Sequence, residues 1–596
     1  MVRVAKSGGG NSYMNAELSD CEVSDTFCKG SDTPGPDGIS ARLIDQADRD
    51  QMHACLKFIW NIAWNTGYFS TEWKKENRVV IPKAGKDDYN ELSAYRTVSL
   101  TSSIGKRFER ITSQRLIAVL DSVDFDPDQF AYLKERSATQ ALLVLTETVK
   151  KGLITGEKVG AMFFDFSDAF GNVNRNRLLF KMGKDFGISG KLFLHIHSFL
   201  SDRLARLKIS DQVGDWIESF MGTSAGTSLG PLLFIIQVHD VPKCIMPKFA
   251  DDLVALSVGK DIESVEKNLQ EATEKLSVWA RREGMPLNVM KTKLMMFGEN
   301  SENVEVKLNG CLIENVKSIK YLGVILDPLL DFGMQVDYAV GKAKRAAAKV
   351  STLIDGRQGI PVNIGLNLYK TLVRPHMEYA FPVWANIRDS EVEQLEKVQI
   401  QSLRRIIGAK AHSSSMAVEV VSGVLPVRQR KRELCCREYL RIITKEDCHQ
   451  LVQMMSSSKR AGVRFCPMQY INIMSRELQK AIEGCSLKVH KSTTVRDSRQ
   501  LTSIASLDIF KSSHGNIRSQ QTVKKFMEQH SESSVLIFTD GSVCNGPVGS
   551  GACAAVVFPI GANEEIFANT SAVGTKVSYS RMSVKLMGLF SDWKWE

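Results

Sequence analysis

No stretch of this 596-residue chain reaches 18 consecutive apolar residues, so the sequence offers no helix able to cross a membrane. The strongest apolar run, LGPLLFIIQV at 229–238, contains a proline and a glutamine and reads as a buried element. The opening MVRVAKSGGGN has no apolar core of signal-peptide length, which argues against secretion. Cysteine is at an ordinary level, 12 in all. The closest pairs are Cys21 and Cys28, Cys435 and Cys436, and Cys544 and Cys553, and no His or Cys follows them at zinc-ligand spacing. A reduced, intracellular chain without a structural metal is expected. Tandem repeats and low-complexity tracts are absent too. What is present, 43% hydrophobic and 24% charged residues, is the composition of a folded protein. The length exceeds any single core and implies roughly three to five domains.

The formal net charge is +10, from 77 Lys plus Arg against 67 Asp plus Glu. Residues 341–450 alone hold 19 basic and 11 acidic side chains, and the rest is nearly neutral. The basic residues alternate with apolar ones at helical spacing in 341–350, 398–407 and 427–434. Such helices pack one face and turn a positive one outward, either to solvate the protein or to follow a phosphate backbone.

Residues 11–32 are polar and read as loose, and 33–38 (TPGPDG) as a rigid turn. Helices are expected at 54–64, 103–119, 139–149, 191–203, 229–239 and 262–283. Strands are expected at 78–81, 159–166, 249–258 and 316–325. From 337 to about 448 the pattern is helical, with a break near 356–361 and a proline crossing at Pro375. Residues 454–530 read as a partly ordered connector. Two further strands, 534–539 and 552–558, flank a glycine-containing turn.

The chemistry is argued from three aspartates. Asp165 closes the apolar run VGAMFFDF, and Asp251-Asp252 interrupts a second, FADDLVALSV. Two adjacent carboxylates repel each other and resist desolvation, which a plain core does not favour. A divalent cation does, because Mg²⁺ seeks carboxylate and phosphate oxygens. An isolated Asp-Asp is most often a surface turn, but flanking Phe249 and Leu253–Leu256 count against one here.

The surrounding residues give a specific resemblance. Asp165-Phe166-Ser167-Asp168-Ala169-Phe170 and Phe249-Ala250-Asp251-Asp252 resemble catalytic motifs of reverse transcriptases from non-LTR (LINE-type) retrotransposons, with the jockey-like and R1-like group nearest. Residues 222–234 (GTSAGTSLGPLLF) resemble the glycine-containing stretch between them. In the same order stand Pro34–Gly38, Ile81-Pro82-Lys83 with Gly85-Lys86, Tyr95–Leu100, Gly105-Lys106, Leu287-Asn288 with Lys291-Thr292-Lys293, and Tyr321-Leu322-Gly323-Val324. The resemblance covers about residues 30–430.

It implies an α+β right-hand polymerase of fingers, palm and thumb, with a helical extension and a partial RNase H-like α/β segment. Its divisions would be a flexible 1–30, fingers and palm at 31–335, a basic thumb and extension at 336–450, a connector at 451–530 and a truncated RNase H-like segment at 531–596. The implied activity is RNA-directed DNA polymerisation by two-metal phosphoryl transfer, with Mg²⁺ (Mn²⁺ as substitute) held by Asp165, Asp251 and Asp252. Implied partners are an RNA template, a DNA primer, the RNA–DNA duplex and deoxynucleoside triphosphates, with no membrane. The oligomeric state stays open, and nucleus and cytoplasm are both compatible.

Lys83 and Arg96 would face the triphosphate, or merely solvate the surface. Phe170 would lie under the incoming sugar and exclude a 2′-hydroxyl, or serve as a core aromatic. Gly226 would let backbone approach the base pair, and Lys291 would stand near the leaving pyrophosphate. Three sites depart from the family pattern: Ser224-Ala225 replaces Pro-Gln, Gly171 a frequent Asp, and Thr97 a usual Pro. Phe538–Ser542 resembles the opening of a ribonuclease H domain, with Asp540 its first carboxylate. Lys585 stands where a glutamate belongs, and 57 residues from Asp540 to Glu596 are too few for the domain. No RNase H turnover is expected. Residues 1–30 are too short for the amino-terminal endonuclease common in such polyproteins, so the chain reads as a piece of an element. Two alternatives remain open: a decayed element protein that binds nucleic acid without polymerising, and a DNA-templated polymerase.

Overall fold

The computed structural model describes residues 12–27, 33–83, 88–91, 94–123, 125–224, 226–299, 303–354, 359–443, 451–452, 454, 467–474, 536–539 and 554–556. Asp540, Lys585, Ala225 and Gly85-Lys86 lie outside the described residues.

Strands run in chain order β1 (Lys75–Pro82), β2 (Tyr95–Thr101), β3 (Lys158–Phe164), β4 (Arg203–Ile209), β5 (Gln212–Val213), β6 (Ile217–Ser219), β7 (Ile245–Phe249), β8 (Asp252–Gly259) and β9 (Lys293–Phe297). Two sheets result. In one, β1 pairs antiparallel with β2 and parallel with β4, which also carries β5 and β6. The other is antiparallel throughout, in the order β7-β8-β3-β9. Strand β3 is central and apolar on both faces because both are covered. Met162 and Phe164 join one core cluster with Leu269 and Leu276 of helix Ile262–Glu283. Val159, Ala161 and Phe163 join the other, with Leu142 and Leu145 of helix Ala138–Ile154 and the C-terminal helices. Alternation of side chains along the strand thus serves two cores at once. The mixed α+β class follows directly.

All six expected helices form: three extend past the expected bounds, Ile262–Glu283 matches them, and two are shorter, Gly190–Leu200 ending before Arg203 opens β4 and Gly230–Gln237 falling inside 229–239. Helix Arg49–Thr66 starts on Asp48, whose carboxylate accepts the Gln51 N–H, and stops at Gly67 with φ +65°. Its Trp60 stacks on Phe108 of helix Ser103–Leu120, centroids 5.6 Å apart. Among the described residues no helix is long and apolar enough to cross a membrane.

Three expectations are corrected. Residues 12–27 are not loose: they form helices Ser12–Asn15 and Asp20–Ser24, with Met14, Leu18, Val23 and Phe27 buried. Arg115, itself buried, organises them through Glu22 (2.7 Å) and the Ala16 carbonyl (2.6 Å). Residues 316–325 are not one strand but the start of a hairpin, Ile319–Tyr321 against Val324–Leu326, reversed at Leu322 (φ +44°) and Gly323 (φ +83°). Likewise 249–258 is the end of β7, a turn and β8.

The basic C-terminal region is helical as expected, beginning with Gly333–Ile354. Pro375 does not break it. Val362–Leu368, a wider turn at Tyr369–Val373 and Arg374–Glu378 run on continuously, the wide turn accommodating the missing proline donor. Within 451–530, expected as a connector, helix Pro467–Met474 buries Met468 and Ile471. Strands Leu536–Thr539 and Ala554–Val556 pair antiparallel.

Candidate active site

Register brings the sequence-distant aspartates to one end of the second sheet. Phe163 pairs with Val254 and Phe164 with Leu253. Continued past the end of β3, the same register carries Asp165 toward Asp252 on the Phe163 and Val254 side. Asp251 sits one residue earlier, in the two-residue turn between Phe249 and Asp252, which pair with each other. The other turn residue, Ala250, has φ +55°. Hairpin geometry asks for positive φ there and normally takes glycine; an alanine bears roughly 1–2 kcal/mol of strain. The turn is held from outside, because the Ala250 N–H donates to Gln129 Oε1 at 3.0 Å.

A third segment docks on Asp165. The Asn288 N–H donates to the Asp165 carbonyl (2.7 Å), and the Ser167 N–H to the Pro286 carbonyl (2.9 Å). Thr292 Oγ1 donates to the Asn288 carbonyl at 2.7 Å, closing the loop on itself. Lys291 thereby reaches the aspartate, its Nζ 3.1 Å from Asp165 Oδ2. That oxygen is buried and has no partner in hydrogen-bonding geometry, so the lysine contact is one of charge alone.

The three carboxylates feel one another. Burial, with the Asp165 charge behind it, raises the Asp251 carboxyl above the usual range. Burial and then Asp251 and Asp165 push Asp252 up to about 6. Burial raises two phenols beside them: Tyr132, which also feels Asp251 and Asp252, and Tyr321, which feels Asp252. The Tyr321 hydroxyl is buried without a hydrogen-bond partner. The donor set is hard oxygen, mutually repelling and partly orphaned, and by its chemistry it fits a divalent cation. Among the described residues, however, no group of three or more His, Cys, Asp or Glu side chains is gathered as a ready-made metal cage.

The other expected residues lie on other segments. Phe170 is half-buried and stacks on Phe234, centroids 4.4 Å apart. Gly226 has φ +104°, and a side chain there would meet the Ser99 carbonyl at 3.1 Å, so the loop lies directly against β2. Lys83 and Arg96 belong to the β1-β2 hairpin of the other sheet, where Arg96 pairs with Ile81 and is exposed. Gly171 has a local reason: a Cβ would lie 2.0 Å from Asp168 Oδ2. Ser224 is buried and bonds to the carboxylate of Glu76, helping hold it low.

Gln129, Tyr132 and Glu109 escape a sequence reading. Glu109 is buried on helix Ser103–Leu120 and accepts the Ser228 N–H at 2.9 Å, anchoring the loop before helix Gly230–Gln237. None of the three stands in a motif that signals metal chemistry. A polar side chain inside FERIT or DQFAYL looks like any other until its partner is known.

Residues 81–326 match the family model described as reverse transcriptase (RNA-dependent DNA polymerase). Curated relatives include the RNA-directed DNA polymerase from mobile element jockey of Drosophila melanogaster, 27% identical over 399 residues, covering 65% of this chain and 43% of the relative. Another is the probable RNA-directed DNA polymerase from transposon X-element of the same fly, 25% identical over 402 residues, covering 65% and 44%. The chain thus spans less than half the length of either relative. Among solved structures, a telomerase from Candida tropicalis aligns with TM-score 0.35 and 11% identity over 72% of this chain and 70% of that one. The chain carries a reverse transcriptase domain related to those of jockey-type non-LTR retrotransposons.

Proposed function

We propose that this chain is an RNA-directed DNA polymerase that adds deoxynucleotides to a primer 3′ end by two-metal phosphoryl transfer. The observation that carries the reading is the convergence of Asp165 with the Asp251-Asp252 turn at adjacent strand ends. Asp165, Asp251 and Asp252 would hold the divalent ions, which when bound would activate the attacking hydroxyl and stabilise the leaving pyrophosphate. Lys291 neutralises Asp165 in their absence and is close enough to meet pyrophosphate oxygens. Lys83 and Arg96 act from the β1-β2 hairpin on the triphosphate, and Gly226 gives the base pair room. In this reading 31–335 are fingers and palm, 336–450 the thumb and its extension, 451–530 a connector and 531–596 a truncated RNase H-like segment without turnover.

The test is primer extension by the full chain on an oligonucleotide-primed RNA template with deoxynucleoside triphosphates and Mg²⁺. Template-directed extension is expected. Salt-sensitive duplex binding with no incorporation in Mg²⁺ or Mn²⁺ would overturn the reading in favour of a decayed nucleic-acid-binding protein. Preference for a DNA template in competition would make it a DNA-templated enzyme.

Phe170 supplies a second expected result. Stacking on Phe234 fixes its ring, so the space it denies to a 2′-hydroxyl is set by packing. Phe170→Val should reduce discrimination against ribonucleotides roughly 10- to 100-fold, read as the ratio of kcat/KM for the two nucleotide classes.

The junction of palm and thumb supplies a third. Lys320 and Lys342 place their ammonium groups 4.8 and 4.9 Å from the Tyr338 ring centroid. Lys320 Nζ also donates to the Tyr338 hydroxyl at 2.7 Å. Among the described residues neither lysine is paired with a carboxylate, so two cations converge on one hydroxyl. Such a pair suits a backbone phosphate. The double variant Lys320→Ala, Lys342→Ala should flatten the slope of log K against log salt for duplex binding by about 1–2.

A further inference from the structure

Residues 126–136 link helices Ser103–Leu120 and Ala138–Ile154 and run along the outer edge of β7. Gln129 and Lys248 bridge in parallel fashion. The Phe130 N–H donates to the Lys248 carbonyl (2.9 Å), and the Lys248 N–H to the Asp128 carbonyl (2.8 Å). The Lys248 ammonium, almost fully buried, pairs with Asp126. Arg136 fastens the segment to itself, its Nη1 donating to the carbonyls of Asp126 and Gln129, both at 2.6 Å. The backbone of Gln129 is therefore fixed from three sides.

Its side chain is fixed as well. Gln129 is 1% exposed, and its Oε1 accepts two backbone N–H groups at 3.0 Å, from Ala131 and from Ala250. The first bond belongs to its own loop. The second crosses 121 positions of sequence to the turn that presents Asp251 and Asp252. Ala250 is 2% exposed with φ +55°. Its N–H is thus a buried donor in a strained turn. Without an acceptor the amide is left unsatisfied, and the turn has a reason to rotate. The carboxylate most affected belongs to the next residue, Asp251.

We infer that Gln129 is a positioning residue for the proposed polymerase reaction: its carboxamide oxygen holds the Ala250 amide and so fixes the direction in which Asp251 and Asp252 are presented. The inference rests on the polymerase reading for its consequence in catalysis, but not for its effect on the turn. Gln129 itself touches neither substrate nor the reacting atoms. A catalytic set must be held to within about half an ångström, and a misplacement of about 1 Å can lower a rate by roughly 100-fold.

The experiment compares the full-length wild type, Gln129→Met and Gln129→Glu. Methionine keeps the length and loses the strong acceptor; glutamate keeps both acceptor lone pairs. Hydrogen exchange over residues 247–254 reports the turn, and primer-extension kcat, nucleotide KM and duplex Kd report function. Gln129→Met is expected to exchange roughly tenfold faster at the turn and to lose roughly 10- to 100-fold in kcat, with KM and Kd within about twofold. Gln129→Glu is expected to keep the slow exchange. Wild-type exchange and kcat in Gln129→Met would overturn the inference. So would a loss confined to KM or Kd. If Gln129→Met does not fold, Gln129→Glu decides alone: slow exchange supports the acceptor role and fast exchange overturns it. A wild type that incorporates nothing, with Gln129-dependent protection intact, refutes the polymerase reading and leaves the hold on the turn standing.

Discussion

Asp251→Asn is expected to lower nucleotide incorporation roughly 1,000-fold while raising the melting temperature in buffer free of divalent cations. The two effects have one cause. Burial, and behind it the charge of Asp165, disfavours the ionised form of Asp251 and raises its carboxyl. A group whose carboxyl is raised in the fold stabilises it only at low pH. That contribution is present below about 4 and is lost as the pH rises through the folded value. At neutral pH the ionised carboxylate is therefore a liability, and the amide, of nearly the same shape, removes it. Mg²⁺ should reverse the ranking by binding the folded wild type and not the variant. Melting curves with and without Mg²⁺, run beside primer extension, check both halves. Normal extension by Asp251→Asn, or a Mg²⁺-induced rise in its melting temperature equal to the wild type's, would remove Asp251 from the ion-holding set. Asp165→Asn should share the loss of activity. It also leaves Lys291 Nζ beside a neutral group, 3.1 Å from the position that Oδ2 now holds.

What could be read from sequence was charge out of place. Asp165 and the Asp251-Asp252 pair stood out because carboxylates at the ends of apolar runs have few inexpensive explanations, and the structure brings them within electrostatic range of one another. The turn between β7 and β8 was not legible as a turn, since alanine carries no signal for positive φ and the run FADDLVALSV is strand-like on both sides. Gln129 was silent for a different reason. Its importance lies wholly in a bond to a residue 121 positions away. The docking of residues 12–27 was hidden in the same way: Arg115, on a helix of ordinary amphipathic pattern, holds Glu22 from 93 positions off. Local pattern found the elements and the acidic residues. The loops that aim them depend on side chains whose partners are distant, and spacing says nothing about those.

His195→Leu is the expected result that concerns the scaffold alone. His195 lies on helix Gly190–Leu200 inside an aromatic cluster, 4.4 Å from Phe108 and 5.4 Å from both Trp64 and Phe69 by ring centroids. Both ring nitrogens are buried without a hydrogen-bond partner. Burial, reinforced by the charges of Arg115 and Lys74, lowers its pKa to about 3. The unfolded chain protonates this imidazole near pH 6.5 and the folded chain refuses the proton. Stability is then fully present above pH 6.5 and drains away as the pH falls toward 3, at up to about 1.4 kcal/mol per pH unit. Leucine is of similar size, leaves no unsatisfied nitrogen and binds no proton. At pH 7 the variant should equal or exceed the wild type, because two buried polar atoms without partners are lost. At pH 4.5 it should exceed it by roughly 2–3 kcal/mol, about two units of lost linkage. Denaturant unfolding at the two pH values measures the difference directly, and the carboxylates that titrate in both proteins cancel in it. A gap between variant and wild type that does not widen from pH 7 to 4.5 would show that the imidazole accepts its proton in the folded state, and hence that water or a moving side chain reaches the cluster joining helices Arg49–Thr66, Ser103–Leu120 and Gly190–Leu200.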